Sequence, residues 1–234
     1  MTPLERLRDV VSKGVAIDVY HAEEALFLDE LIGKNAESIN EASFGQFFGS
    51  QQNLLGKELI LATNRIFEHG RGRYLLRSIP SALMTLSDSA GSIEIQNRIA
   101  LIDYLVDKDV ASLEVLDSRS DAQLTELFVE CFSSKLPNIG GDHELSPAIA
   151  KLKTVRDKRL AHHESVASDI SAATYAEIQQ LLEIAKEFLS IMGSAYLSTA
   201  YQVDDGDFPL TADARRSTTC LFRLLSAAGI EVER

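Results

Sequence analysis

Residues 151–163 read KLKTVRDKRLAHH, five Lys or Arg with a single acid and two of the chain's five histidines. Within this run Arg156 and His162 stand five residues apart, and a second imidazole, His163, follows directly. Arginine is a planar, permanently charged fork that matches the oxygens of a phosphate in pairs. Histidine takes up and returns a proton near neutrality. The pair therefore describes proton transfer beside a held anion.

Phase adds to spacing. At about 100° per residue, Leu145, Ala148, Ile149, Leu152, Val155 and Leu160 form one apolar arc of a helix. Arg156, Arg159 and His163 project into that arc and His162 lies at its edge, whereas Lys151, Lys153, Asp157 and Lys158 face solvent. Burying guanidinium and imidazole groups is costly unless each is paired. Three arrangements satisfy the pattern: the arginine stems snorkel, the groups pair with internal carboxylates, or the face borders a cleft or subunit interface.

The stretch RDKRLAHHE resembles the R-x(4–6)-H signature of the HEPN superfamily (higher eukaryotes and prokaryotes nucleotide-binding domains), and within it the RDKxxAHxD form of the abortive-infection AbiU branch. YLLRSIPSALMTL upstream and DARRSTTCLFRLLSAAGI near the end are similar to the same branch, and residues 145–200 resemble it best. Two departures stand out: Asp157 occupies a place where many HEPN ribonucleases carry Asn, and Glu164 replaces the acid of AHxD.

The resemblance implies an all-helical fold and metal-independent RNA cleavage, with no cofactor and no metal site, in phage defence, abortive infection or a toxin–antitoxin system. In such a reaction a base takes the 2′-hydroxyl proton and a cation holds the charge on phosphorus. Arg156 would clamp phosphate, His162 would be the general acid/base, and Asp157 and His163 would orient them. Lys153, Lys158 and Arg159 would guide RNA. On one regular helix Arg156 and His162 diverge by about 120°, and Arg156 and His163 by about 20°. Either the helix loosens after Leu160, or the site is completed across a two-fold axis by a second copy. A homodimer through this face is expected, as is an antitoxin or nucleotidyltransferase partner. The alternative is a catalytically silent HEPN dimer serving as a binding or regulatory scaffold, which the acid at 157 and the acidity of the whole chain favour.

The elements that must carry these groups are helical throughout, since apolar residues recur at spacings of three and four and β-branched alternation is nearly absent. The expected helices run from about Leu4 to Ile32, with Gly14 as a weak point, and then over Phe44–Glu68, Ser81–Ser87, Ile93–Val106 and Asp121–Ser134. After a loop at Pro137–Gly141 come a helix entered through Ser146-Pro147, one capped by Thr174 and Glu177, and a last one over Thr211–Ala228. The stripe Tyr175, Ile178, Leu182, Ala185, Leu189, Met192 and Tyr196 is expected to be core. The expectation is an all-α bundle of seven or eight helices, one domain over 1–234 with its motif-bearing core at about 120–200.

Charge narrows the partners. The 234 residues carry a net charge of −12, which excludes a protein that coats nucleic acid or anionic membrane with its whole surface. Yet nine of the 23 basic residues fall in two windows, 65–77 and 151–163, with a net charge of +7 against −19 elsewhere. The first window holds Arg65, Arg71, Arg73 and Arg77. Cys131 and Cys220 are expected as buried thiols, and His21, His69 and His143 as isolated surface or core residues. No run approaches a membrane span, and the opening MTPLERLRDVVSKG lacks a signal-peptide pattern, so a cytoplasmic, soluble chain is expected.

Overall fold

The computed structural model describes residues 1–70, 76–161, 172–203 and 206–233, with backbone alone for 159–161. Among these the chain is helical throughout, with no strand. The first expected helix forms as α1 (Pro3–Val10), a π-helical turn (Val11–Val15) and α2 (Ala16–Lys34) in direct succession. Gly14 sits in the wide turn because a Cβ there would lie 2.2 Å from Arg77 Cβ and 2.7 Å from the Arg77 carbonyl oxygen. The glycine lets two backbones touch.

Then follow α3 (Ala36–Glu41), α4 (Gly45–Phe67) and α5 (Ile79–Asp88), the last with Pro80 in its first turn. The helix expected from Ile93 begins instead at Arg98, as α6 (Arg98–Asp107). Asn97 caps it by accepting from the Ala100 N–H, and the N–H groups of Gln96 and Asn97 both donate to the Ala195 carbonyl. Those bonds hold Ile93 and Ile95 buried in a non-helical approach. A short α7 (Leu113–Asp117) precedes α8 (Asp121–Ser134), which matches its expected bounds. After the Pro137–Gly141 loop come α9 (Ser146–Val155), a second π-helical turn (Arg156–Ala161), α10 (Tyr175–Met192), a third π-helical turn (Gly193–Leu197) and α11 (Pro209–Ala227). Eleven α-helices thus stand where seven or eight were expected, because short α3 and α7 and the broken first helix each count separately.

Packing follows the apolar stripes. Helix α2 lies against α4, α10 and α11, and α9 lies against α4. The α10 stripe is core: Ile178, Leu182, Ala185, Leu189, Met192 and Tyr196 are all buried. Tyr175 leaves it, half-exposed and hydrogen-bonded to Asp29. Thr174 and Glu177 form the capping box that starts the helix. At full burial, Phe128, Phe132, Phe188 and Tyr196 meet with ring centroids 5.1–6.1 Å apart, and the Tyr196 hydroxyl bonds Thr125 Oγ1 at 3.1 Å. Cys131 is half-buried and Cys220 exposed, a correction to the buried thiols expected from their apolar neighbours. None of the described helices is long and apolar enough to cross a membrane.

Candidate nucleic-acid site

Arg156 begins where α9 widens. Leu145, Ala148, Ile149, Leu152 and Val155 are buried, as the phase of the arc requires, and they seat α9 on α4. The expected loosening after Leu160 starts earlier, since the backbone is already π-helical from Arg156 onward. Wide turns of this kind recur at functional sites, because the extra residue re-aims side chains. Here Arg156 swings across to the C-terminal end of α4, where the carbonyl end of the helix dipole favours a cation.

Its partners come from two elements. Nη1 donates to Asn64 Oδ1 at 3.1 Å and to Glu68 Oε1 at 2.8 Å, and Nε donates to Asp157 Oδ1 at 2.7 Å. Asn64 and Glu68 lie four residues apart near the end of α4 and so share one face. The Arg156 side chain keeps 20% of its surface exposed. Burial works against its charge, but the hydrogen bonds from Asp157 and Glu68 outweigh it and hold the guanidinium pKa above its ordinary value. Of the three arrangements left open by phase, the arginine adopts two at once: it pairs with carboxylates and it borders a cleft.

That cleft is a cavity of about 630 Å³. Phe67, Ile149 and Pro137 line it as apolar surface, and Asn64, Glu68, Lys153, Arg156 and Asp157 line it as polar surface. His69 and Asn138 complete the polar side, with His69 Nε2 2.9 Å from Asn138 Oδ1. The loop bearing Asn138 is tied to the start of α9 by its backbone N–H, which donates to Ser146 Oγ at 3.2 Å. Asn64 is 6% exposed, and its Nδ2 finds no partner among the described residues. An unsatisfied buried amide costs stability, so Asn64 is placed to hold Arg156 rather than to strengthen the fold.

The remaining cations divide. Lys151 is bound to Glu177 at 2.9 Å and links α9 to the cap of α10. Lys153 lines the cavity and Lys158 is exposed, and neither has an ion pair among the described residues. In the first basic window, Arg65 binds Asp18 at 2.7 Å and Glu58 at 3.0 Å, and Arg77 binds Asp9 at 2.9 Å. Those two are structural. His162, His163, Glu164, Arg71 and Arg73 lie outside the described residues, as does the side chain of Arg159.

The structure thus brings Arg156, Asp157 and Lys153 to one recess and adds four residues that sequence reasoning did not assemble: Asn64, Glu68, His69 and Asn138. Their signals were local and separate. His69 directly precedes the Gly70-Arg71-Gly72-Arg73 breaker and Asn138 sits in the Pro137–Gly141 loop, and sites concentrate on such loops.

Comparison with known proteins agrees with the resemblance of the sequence. No curated protein and no solved structure matches the chain. The profile of the HEPN family described as AbiU2 matches residues 25–216, most of the chain and all of the cavity-lining helices. With that match and an all-helical fold, the chain belongs to the AbiU2 family of HEPN domains.

Proposed function

We propose that this chain is a metal-independent endoribonuclease of the HEPN type, acting in abortive infection against phage or as the toxin of a toxin–antitoxin system. One observation carries the reading: Arg156 of the motif stands on the rim of a solvent-open recess, beside a lysine with no ion pair among the described residues. An RNA phosphate at that rim meets Arg156 and Lys153. A base removes the 2′-hydroxyl proton, O2′ attacks phosphorus, the bond from phosphorus to O5′ breaks, and an acid protonates O5′. The products are a 2′,3′-cyclic phosphate and a 5′-hydroxyl. His162 is assigned to this proton transfer, with Asp157 and His163 orienting the pair and Lys158 and Arg159 guiding the strand.

The chain would act as one domain over 1–234 and as a homodimer through the motif face, with a second copy bringing a further imidazole to the phosphate. An antitoxin or nucleotidyltransferase partner would restrain it. The test is purified protein incubated with total RNA in chelator, beside Arg156→Ala and His162→Ala. Cleavage by the wild type alone, leaving cyclic-phosphate ends, is the expected result, and identical RNA patterns for all three sink the reading. Light scattering that finds a monomer at micromolar concentration sinks the composite site.

A second reading, a silent scaffold, is favoured by one specific feature. Glu68 and Asp157 both occupy the guanidinium that phosphate would need. Stable RNA binding without cleavage decides for it.

A further inference from the structure

The recess extends well past the guanidinium, and its two sides differ in chemistry. Cations stand at one edge, Lys153 and Arg156, whereas Phe67, Ile149 and Pro137 make an apolar floor. Phe67 and Ile149 are 3% and 7% exposed, so the floor belongs to the core and is rigid. A cavity of about 630 Å³ is larger than a phosphate needs and falls in the range of small-molecule pockets, which combine apolar walls with few oriented polar groups.

The oriented polar groups are His69 and Asn138. An amide oxygen can only accept, so the His69 Nε2 that faces Asn138 Oδ1 carries the proton. That bond leaves His69 Nδ1 as an acceptor and Asn138 Nδ2 as a donor, neighbours in one hydrogen-bonded pair. The edge of an RNA base presents the complementary neighbours, one donor beside one acceptor. The geometry points to a base-binding subsite: the recess takes the nucleobase of the nucleotide whose phosphate lies at Lys153 and Arg156, with its face on the apolar floor and its edge on Asn138 and His69. This inference rests on the ribonuclease reading for its choice of RNA, but its test is one of binding.

Isothermal titration of the full chain with the four nucleoside 3′-monophosphates and with inorganic phosphate reads the subsite directly. At least one nucleotide is expected to bind about tenfold tighter than phosphate, toward the low end of what base stacking contributes. Asn138→Ala, which keeps the backbone bond to Ser146, is expected to lower that nucleotide's affinity several-fold and leave phosphate unchanged. Ile149→Trp should fill the floor and abolish the difference. Because Ile149 is a core residue, its melting curve is read first, and the Asn138 variant decides if it fails to fold. Nucleotides that bind no tighter than phosphate, or a preference untouched by Asn138→Ala, overturn the subsite. The two readings fail separately. A chain that prefers nucleotides but leaves RNA intact keeps the subsite and loses the nuclease, and one that cuts RNA without the preference does the reverse.

Discussion

Two arginines contact helix α4, and each is held by two carboxylates. Arg65 binds Asp18 of α2 and Glu58 of its own helix, and Arg156 binds Glu68 and Asp157. Counted as ion pairs they are equivalent. Their surroundings separate them. Arg65 closes a seam between α2 and α4, and the nearest cavity, about 330 Å³, is lined by His21, Glu24 and Glu58, which repel an anion. Arg156 opens on a larger cavity with an apolar floor and with Lys153 left without an acid. An arginine that pairs with acids is thus no sign of a site by itself. A recess, an uncompensated cation and a buried amide left unsatisfied beside it make the difference.

Substitution of the two arginines breaks the comparison most sharply. Arg156→Ala is expected to lower RNA cleavage on the order of a hundredfold, as removal of a preorganised charge donor does, with a nearly unchanged melting temperature. Arg65→Ala should leave cleavage intact and cost about 1–2 kcal/mol in a denaturant melt, since Asp18 loses its partner where solvent screens only part of the pair. If cleavage falls equally in both, the distinction is wrong.

A smaller effect sharpens it. Glu68→Gln frees Arg156 from one charge, so single-stranded RNA should bind a few-fold tighter at low salt. One more phosphate contact steepens the plot of log K against log salt by about 0.7. An unchanged slope means that Arg156 never meets the strand.

The smallest effect is one of pH, and the two regions respond with opposite sign. The hydrogen bond from Lys151, with help from the Thr174 backbone, holds the Glu177 carboxyl below its ordinary value of 4.5. Its contribution to stability is present above that value and lost as pH falls through the folded pKa. Asp18 goes the other way, because burial raises its pKa more than Arg65 lowers it. Its protonation therefore favours the fold as pH falls toward the ordinary value. Below pH 4.5, thermal melts should show a shallower acid loss for Lys151→Met than for the wild type, and a steeper one for Asp18→Asn. The reverse ranking overturns the assignment.

Much of this was legible in residue order. Period alone placed α10 and its buried stripe, and phase alone put Arg156 on the apolar arc of α9. Ser120 and Thr174 start their helices by side-chain capping that the sequence displays locally. What escaped was long-range. Arg156 meets Asn64 and Glu68 across 92 and 88 residues, and His69 meets Asn138 across 69. No spacing rule reaches so far, because such pairs exist only after α4 and α9 dock. Ile93–Asn97 failed for a related reason: the apolar pattern there is helical, but the bonds to Ala195 belong to another element and win. Tyr175 carried a core-like position and left the core for Asp29.

The wide turn at Arg156–Ala161 has a meaning for how this segment tolerates changes of length. A π turn is an α-helix that has accepted one residue more than its hydrogen bonds require. Deleting a residue from it restores regular α geometry without breaking the rod, and rotates everything downstream by about 100°. An insertion or loss here alters the direction in which the following imidazoles leave the helix and spares the helix itself. The span of four to six residues in the HEPN signature corresponds to such a turn: a length polymorphism absorbed as rotation, and a place where one codon could re-aim a site that the rest of the bundle continues to support.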